Sequence, residues 1–235
     1  MKAYIIAIGD ELLRGKTLDY NSHWITKRLT GLGIEVERII VVPDNIKEII
    51  EVIHTALQKN VNIIITTGGL GPTPGDVTLE AVSRAINVPL EVNDEAVLMV
   101  KERYKELYEL GFVSTPDLSQ ERIKMAMLPK NAKPFFNPIG VAPGVLLELS
   151  EDQIVISLPG VPSEMMYLLE QMIPIISQRV AGIIVKTREM FVEAKDESML
   201  AKILDKVMKE EPRVYLKSYP VGFGRPLKMR VIGIA

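Results

Sequence analysis

Residues 68–78, Gly68-Gly69-Leu70-Gly71-Pro72-Thr73-Pro74-Gly75-Asp76-Val77-Thr78, follow directly on a β-branched run at 62–67 and precede an amphipathic stretch at 78–86. Glycines in that position let a backbone turn its N–H groups toward one point, and they let an anion approach without a Cβ in the way. The positive end of the following helix adds to the attraction, so the segment predicts a phosphate cradle. It lacks the Gly-Lys-Ser/Thr ending of a Walker A loop and the spacing of a dinucleotide fingerprint. A tight structural turn is the plainer alternative. Asp76 precedes the helix, where a carboxylate either caps free N–H groups or serves a bound phosphate as a metal ligand or water-orienting group. The second role requires a cation, because a bare carboxylate repels the phosphate.

Ligands of open α/β sheets bind where loops leave the carboxyl ends of the strands. Two further loops fall at such ends: Gly9-Asp10-Glu11-Leu12-Leu13-Arg14-Gly15 and Pro43-Asp44-Asn45. Asp10, Glu11 and Asp44 could therefore join Asp76 in one carboxylate cluster. His23 and His54 lie within predicted helices with no spacing partner and are read as packing or surface residues. Trp24 and the Met165-Met166 pair are read as core.

The elements that must position these residues alternate short apolar runs with amphipathic segments, the pattern of a parallel sheet covered by helices. Strands are predicted at 4–8, 35–42 and 62–67, and helices at 22–32, 46–57, 78–86, 93–110 and 119–127. Residues 133–158 read as strands separated by turns. Ser163 is predicted to cap a helix through Met172 that Pro174 interrupts or ends. The fold class is thus α/β, with a first domain at 1–174. A smaller β-α-β-β domain follows at 183–235, with strands at 185–193, 214–219 and 227–234. Met199, Leu200, Ile203, Leu204 and Val207 line one face of its helix. The chain stops on an apolar strand at Ala235, which predicts a second domain cut short.

The chain has 235 residues, 47% hydrophobic and 25% charged, with 28 Lys+Arg against 30 Asp+Glu. The absence of Cys excludes disulfides, thiolate zinc and cysteine nucleophiles. A net charge of −2 disfavours a nucleic-acid footprint. No apolar run approaches the roughly 18 residues of a membrane span. Asp10 and Glu11 interrupt the apolar start, against a signal peptide. The expected setting is the cytoplasm.

Four ordered segments resemble the CinA-like branch of the molybdopterin-binding-like superfamily, which also holds MoaB- and MogA-like proteins. They are Ile8-Gly9-Asp10-Glu11-Leu12-Leu13 with Asp19 and Asn21 downstream, and Thr66-Thr67-Gly68-Gly69-Leu70-Gly71-Pro72-Thr73 through Asp76 and Thr78. The others are Arg122-Ile123-Lys124-Met125-Ala126 leading to Asn137-Pro138-Ile139-Gly140-Val141-Ala142-Pro143-Gly144, and Leu158-Pro159-Gly160-Val161-Pro162-Ser163-Glu164-Met165. The resemblance implies a three-layer α/β/α domain that binds the phosphate of a nucleotide or pterin. In the CinA-like branch it also implies metal-dependent cleavage of ADP-ribose or a related dinucleotide, releasing AMP. Two positions depart from the pattern. Gly75 stands where many relatives carry the first Asp of a pair, and Asp10 stands where Thr is common in CinA.

On this reading Asp76 is the catalytic metal ligand, and the amides of Gly68, Gly69 and Gly71 with the Thr73 and Thr78 hydroxyls hold phosphate oxygens. Lys124 or Arg122 neutralises the second phosphate. Asp10, Asp44 and Asn21 contact the ribose or the second half of the ligand, and Asn137, Gly140, Pro143 and Gly144 complete the substrate site. The implied cofactor is Mg²⁺ or Co²⁺, with K⁺ as an accessory ion. The implied ligand is a small nucleotide or pterin, and the implied assembly is a homodimer. The rival expectation is a binder of molybdopterin or a nucleotide without hydrolytic activity, which the missing carboxylate at Gly75 favours.

Overall fold

Ile and Val dominate runs that are apolar at every position, and such runs are buried on both faces when helices cover a parallel sheet. The computed structural model describes residues 1–180, 186–194, 196–221 and 227–234. It divides into two compact units, Met1–Ala181 and Gly182–Ala235. The first unit runs β1 (Lys2–Ile8), α1 (Asp10–Leu13), α2 (Tyr20–Gly31), β2 (Glu35–Val42), α3 (Ile46–Gln58), β3 (Ile63–Thr67) and α4 (Thr78–Ala85). It continues with β4 (Leu90–Val92), α5 (Asp94–Glu109), α6 (Gln120–Lys124), β5 (Met127–Pro129), β6 (Lys133–Phe135), β7 (Gly144–Ser150), β8 (Gln153–Leu158) and α7 (Pro162–Arg179).

The main sheet has the order β2-β1-β3-β8-β7-β6. Its first four strands are parallel, while β7 runs antiparallel to β8 and β6 antiparallel to β7. Side chains alternate across the pleat. Ala3, Ile5, Ile63, Ile65, Ile154 and Ile156 pack with Ile25 and Leu29 of α2 and with the apolar stripe of α7. Tyr4, Ile6, Ile8 and Ile64 pack on the other face with Ile49 and Ile53 of α3 and Ala81 and Val82 of α4. The result is the three-layer α/β/α arrangement that the alternating pattern predicts.

Local signals account for many of the boundaries. Asp19, Asn45, Asn93 and Ser119 each cap a helix by accepting a backbone N–H. Gly33, at φ +82°, turns the chain out of α2. Two expectations fail at α7. Pro162 occupies its first turn and Val161 the cap position, so Ser163 is not the cap. The helix also continues through Pro174 to Arg179. Met172 and Ile176 are both fully buried, and that packing offsets the lost hydrogen bond. The predicted helix at 119–127 ends at Lys124, because Met127–Pro129 pairs with β4 as an antiparallel strand.

The second unit comprises β9 (Thr187–Ala194), α8 (Glu197–Glu210), β10 (Tyr215–Pro220) and β11 (Leu227–Ile234). Its antiparallel sheet has the order β10-β11-β9. Met199, Leu200, Ile203, Leu204 and Val207 all line an apolar groove of about 940 Å³ with residues of this sheet. Val185 and Ala235, which belong to the predicted last strands and chain end, lie outside the described residues.

Candidate functional site

The register Ala7–Thr67–Leu158 across β1, β3 and β8 brings Gly9, Gly68 and Pro159 out at the same edge of the sheet. A cleft of about 500 Å³ opens there, between the glycine loop, the loops after β1 and β2, and the start of α7. Gly68 adopts φ +103°, and a Cβ on it would lie 2.2 Å from the Ile8 carbonyl oxygen. Its N–H donates to the Leu158 carbonyl at 2.9 Å, and its own carbonyl accepts the Thr78 hydroxyl at 2.8 Å. Gly69, at φ +67°, accepts the Thr78 N–H at 3.2 Å. These bonds staple the loop between two strands and a helix.

Two expectations are corrected by this geometry. The Gly68 amide is already spent on Leu158, and the fully buried Thr78 hydroxyl is spent on Gly68, so neither is free for a phosphate. Among the described residues, the N–H groups of Gly69, Leu70 and Gly71 donate to no protein acceptor. All three residues line the cleft just ahead of the α4 N-terminus.

Asp76 does not cap α4; Val77 takes that position without a side-chain bond. Instead Asp76 Oδ2 accepts the Thr73 N–H at 2.8 Å and the Thr73 hydroxyl at 2.6 Å, closing the loop on itself. Asp76 Oδ1 accepts no hydrogen bond from the described residues. Lys124 Nζ donates to the Thr73 carbonyl, which brings this cation to the same loop. Lys124 lines a neighbouring cavity of about 540 Å³ with Gly69, Leu70, Gly71 and Asp76.

Glu11, Asp44, Asp76 and Glu164 all line the main cleft, and no Lys, Arg or His is among its lining residues. Asp44 Oδ2 accepts the Asp10 N–H at 3.0 Å. Asp10 itself is not in the lining; its carboxylate pairs with Arg14 at 2.9 Å, one helical turn on. Among the described residues no three Asp, Glu, His or Cys side chains converge as a ready-made metal cage.

Arg122 is placed elsewhere. Its Nη1 donates to the carbonyls of Thr115 and Asp117, both at 2.7 Å, and its guanidinium stacks 3.7 Å from the centroid of Tyr104. A cation held in this way supports the chain entering α6, and Arg122 lines neither the cleft nor the neighbouring cavity. Asn21 Nδ2 donates to Thr67 Oγ1 at 2.9 Å and to the Gly160 carbonyl at 2.8 Å, tying α2 to the strand ends. It lines a side cavity of about 80 Å³ that shares Glu11 and Gly160 with the main cleft.

Asn137, Gly140, Pro143 and Gly144 do not line the cleft. Asn137 is fully buried: its Oδ1 accepts the Ile139 and Gly140 N–H groups, and its Nδ2 donates to the Ala142 carbonyl. Pro143 is buried, and Gly144 gives room to Met172, 2.9 Å from where its Cβ would stand. Together they form the wall that presents Val141 and Ala142 to the cleft.

That wall also fixes a residue not assigned a role from sequence. Glu164 Oε2 accepts the Asn137 Nδ2 at 2.6 Å and occupies space left by Gly140, whose Cβ would fall 1.9 Å away. Burial pushes the Glu164 carboxyl above its ordinary range, against the opposing pull of Asn137 and Arg103. In sequence, Glu164 reads only as an acid in the first turn of a helix. Tyr104 is a further lining residue given no role from sequence, whereas Glu11 lines the cleft as a member of the expected carboxylate cluster.

Residues 4–178 match the family described as "Probable molybdopterin binding domain". A protein of Pyrobaculum arsenaticum is 42% identical over 228 residues, spanning 96% of this chain and 83% of its own length. The crystal structure of the protein CinA from Thermoplasma acidophilum is 35% identical, with a TM-score of 0.68 over 75% of this chain and 99% of that one. MoaB from Pyrococcus furiosus, described as a tungsten cofactor synthesizing protein, shares the fold at 19% identity, with a TM-score of 0.50 over 75% of this chain and 92% of its own. By the match over the first unit and the likeness to CinA, the chain belongs to the CinA-like branch of the molybdopterin-binding domain family.

Proposed function

We propose that the chain is a divalent-cation-dependent pyrophosphohydrolase that cleaves ADP-ribose or a related dinucleotide and releases AMP. The observation that carries this reading is the charge of the cleft: free loop amides stand beside four carboxylates with no basic side chain in the lining. A diphosphate alone would be drawn by the amides and repelled by the carboxylates, each close pair costing on the order of a few kcal/mol at a protein surface. A hard cation reconciles the two.

The donors present fit such an ion. Asp76 would hold it through Oδ1, with water and phosphate oxygens completing the shell, since Mg²⁺ keeps several waters and needs few protein ligands. When bound, the ion would neutralise the pyrophosphate and make it more open to attack. The chain's own residues do the rest. The N–H groups of Gly69, Leu70 and Gly71 bind phosphate oxygens and stabilise charge as it grows, aided by the dipole of α4. Thr73 holds Asp76 in place, and Lys124 steadies the Thr73 carbonyl while adding positive charge at the rim. Asp44 in the cleft lining and Asn21 in the adjoining side cavity would contact the second half of the ligand.

One observation favours the rival, a molybdopterin or nucleotide binder without hydrolysis. Asp76 has one oxygen already committed to Thr73, and the neighbouring position is Gly75. Purified protein incubated with ADP-ribose, FAD or NAD, with Mg²⁺ or Co²⁺ and K⁺, and monitored for AMP separates the two. Metal-dependent AMP release supports the hydrolase; tight binding of any of these ligands with no AMP supports the binder.

A further inference from the structure

We propose that Glu164 is the general base of this hydrolysis, taking the proton of the water that attacks the pyrophosphate. The inference rests on the hydrolase reading above. The water oxygen bonds to one phosphorus, and the bridging P–O bond breaks with its electron pair leaving on the other phosphate. Glu164 receives the water's proton, and the products are AMP and a sugar phosphate. The leaving phosphate needs no acid, so the demand falls on a base.

The other acidic groups near the cleft are less suited. Asp10 is paired with Arg14, Asp76 accepts two bonds from Thr73, and Asp44 accepts the Asp10 N–H. Glu11 is exposed. Glu164 alone among the carboxylates in the lining is held by a neutral, fully buried amide, and Asn137 fixes its Oε2 while Oε1 accepts no hydrogen bond from the described residues. The Asn137 side chain is anchored in turn by Ala142 and Gly140, and Arg103 Nε clamps the Gly140 carbonyl at 2.8 Å. A base needs this positioning: a carboxylate in the cleft lining, one oxygen held by a buried amide and the other left without a hydrogen-bond donor among the described residues.

The charged and titratable groups around it are Arg103 on α5, which is itself paired with Glu106, and Tyr104, Glu11, Asp44 and Asp76 across the cleft. Desolvation raises the proton affinity of Glu164 against the opposing pull of Asn137 and Arg103, which moves it toward the range where a carboxylate is an effective base.

The full chain and its Glu164→Gln and Glu164→Asp variants are to be assayed with ADP-ribose and Mg²⁺ or Co²⁺ from about pH 5 to about pH 9. Glu164→Gln keeps an acceptor for Asn137, and its kcat should fall about a hundredfold or more with KM little changed. Its residual rate should lose the acid limb of the pH profile. Glu164→Asp should keep the limb at reduced kcat. If Glu164→Gln retained more than about a tenth of wild-type kcat with the acid limb intact, Glu164 would be excluded while the hydrolase reading stood. Wild-type protein that binds ADP-ribose and releases no AMP overturns both. Should Glu164→Gln not fold, Glu164→Asp decides, and an unchanged kcat overturns the assignment.

Discussion

The carbonyl oxygen of Ile8 stands 2.2 Å from where a Cβ on Gly68 would lie, so the ends of β1 and β3 meet backbone to backbone at the floor of the cleft. No side-chain rotation can relieve that contact, and φ at Gly68 is +103°. Gly68→Ala should therefore destabilise the first unit by about 2 kcal/mol or more, seen as a lower midpoint in urea unfolding. A midpoint equal to wild type would mean that the strands separate readily there.

Asp76 has a structural and a proposed chemical role that one substitution can separate. Asp76→Asn retains a side-chain oxygen for the Thr73 N–H and hydroxyl but removes the charge. Turnover of ADP-ribose should fall about a hundredfold while the melting temperature stays close to wild type. Equal turnover would remove Asp76 from the mechanism.

Arg122 should prove to be a support and not a ligand contact. Lys at this position cannot span the carbonyls of Thr115 and Asp117 while lying flat on Tyr104. Arg122→Lys should cost about 1–2 kcal/mol of stability and leave ligand affinity unchanged, as read by denaturation and calorimetric titration. A tenfold loss of affinity at unchanged stability would return Arg122 to the site.

Glu164 makes a stability prediction independent of catalysis. Its pKa in the folded state lies above the ordinary 4.5, so folding favours the protonated form. The stability this provides is complete below the unfolded value and is lost as pH rises through the folded value. Glu164→Gln mimics the protonated state, so its melting temperature should match wild type at low pH and exceed it increasingly as pH rises through that window. A constant difference across pH would show that the carboxyl is not perturbed.

A Cβ at Gly140 would displace the carboxyl group of Glu164 and not the backbone, since it would fall 1.9 Å from Oε2, the oxygen that Asn137 holds. Gly140→Ala should lower kcat for ADP-ribose by about tenfold or more, because a small displacement of a catalytic group is costly. Circular dichroism should show an intact fold. Full activity would mean that the position of Glu164 is unimportant.

Much of the scaffold was determined within short stretches of sequence. Consecutive apolar and β-branched residues at 3–8 and 63–67 make strands buried on both faces, Asn93 stops one segment and starts a helix, and the glycines at 68, 69 and 71 allow a sharp bend between β3 and α4. Each of these signals acts over a few residues, where sterics and local hydrogen bonds dominate. The site's chemistry was decided at longer range. The Gly68 amide finds its acceptor in Leu158, Asp10 turns to Arg14, Arg122 lies on Tyr104, and Asn137 reaches Glu164 from a different loop. Strand register and the packing of α5 and α7 set those meetings. Residue type alone can name the carboxylates, but only the tertiary structure decides which one is buried, which is neutralised and which remains free to react.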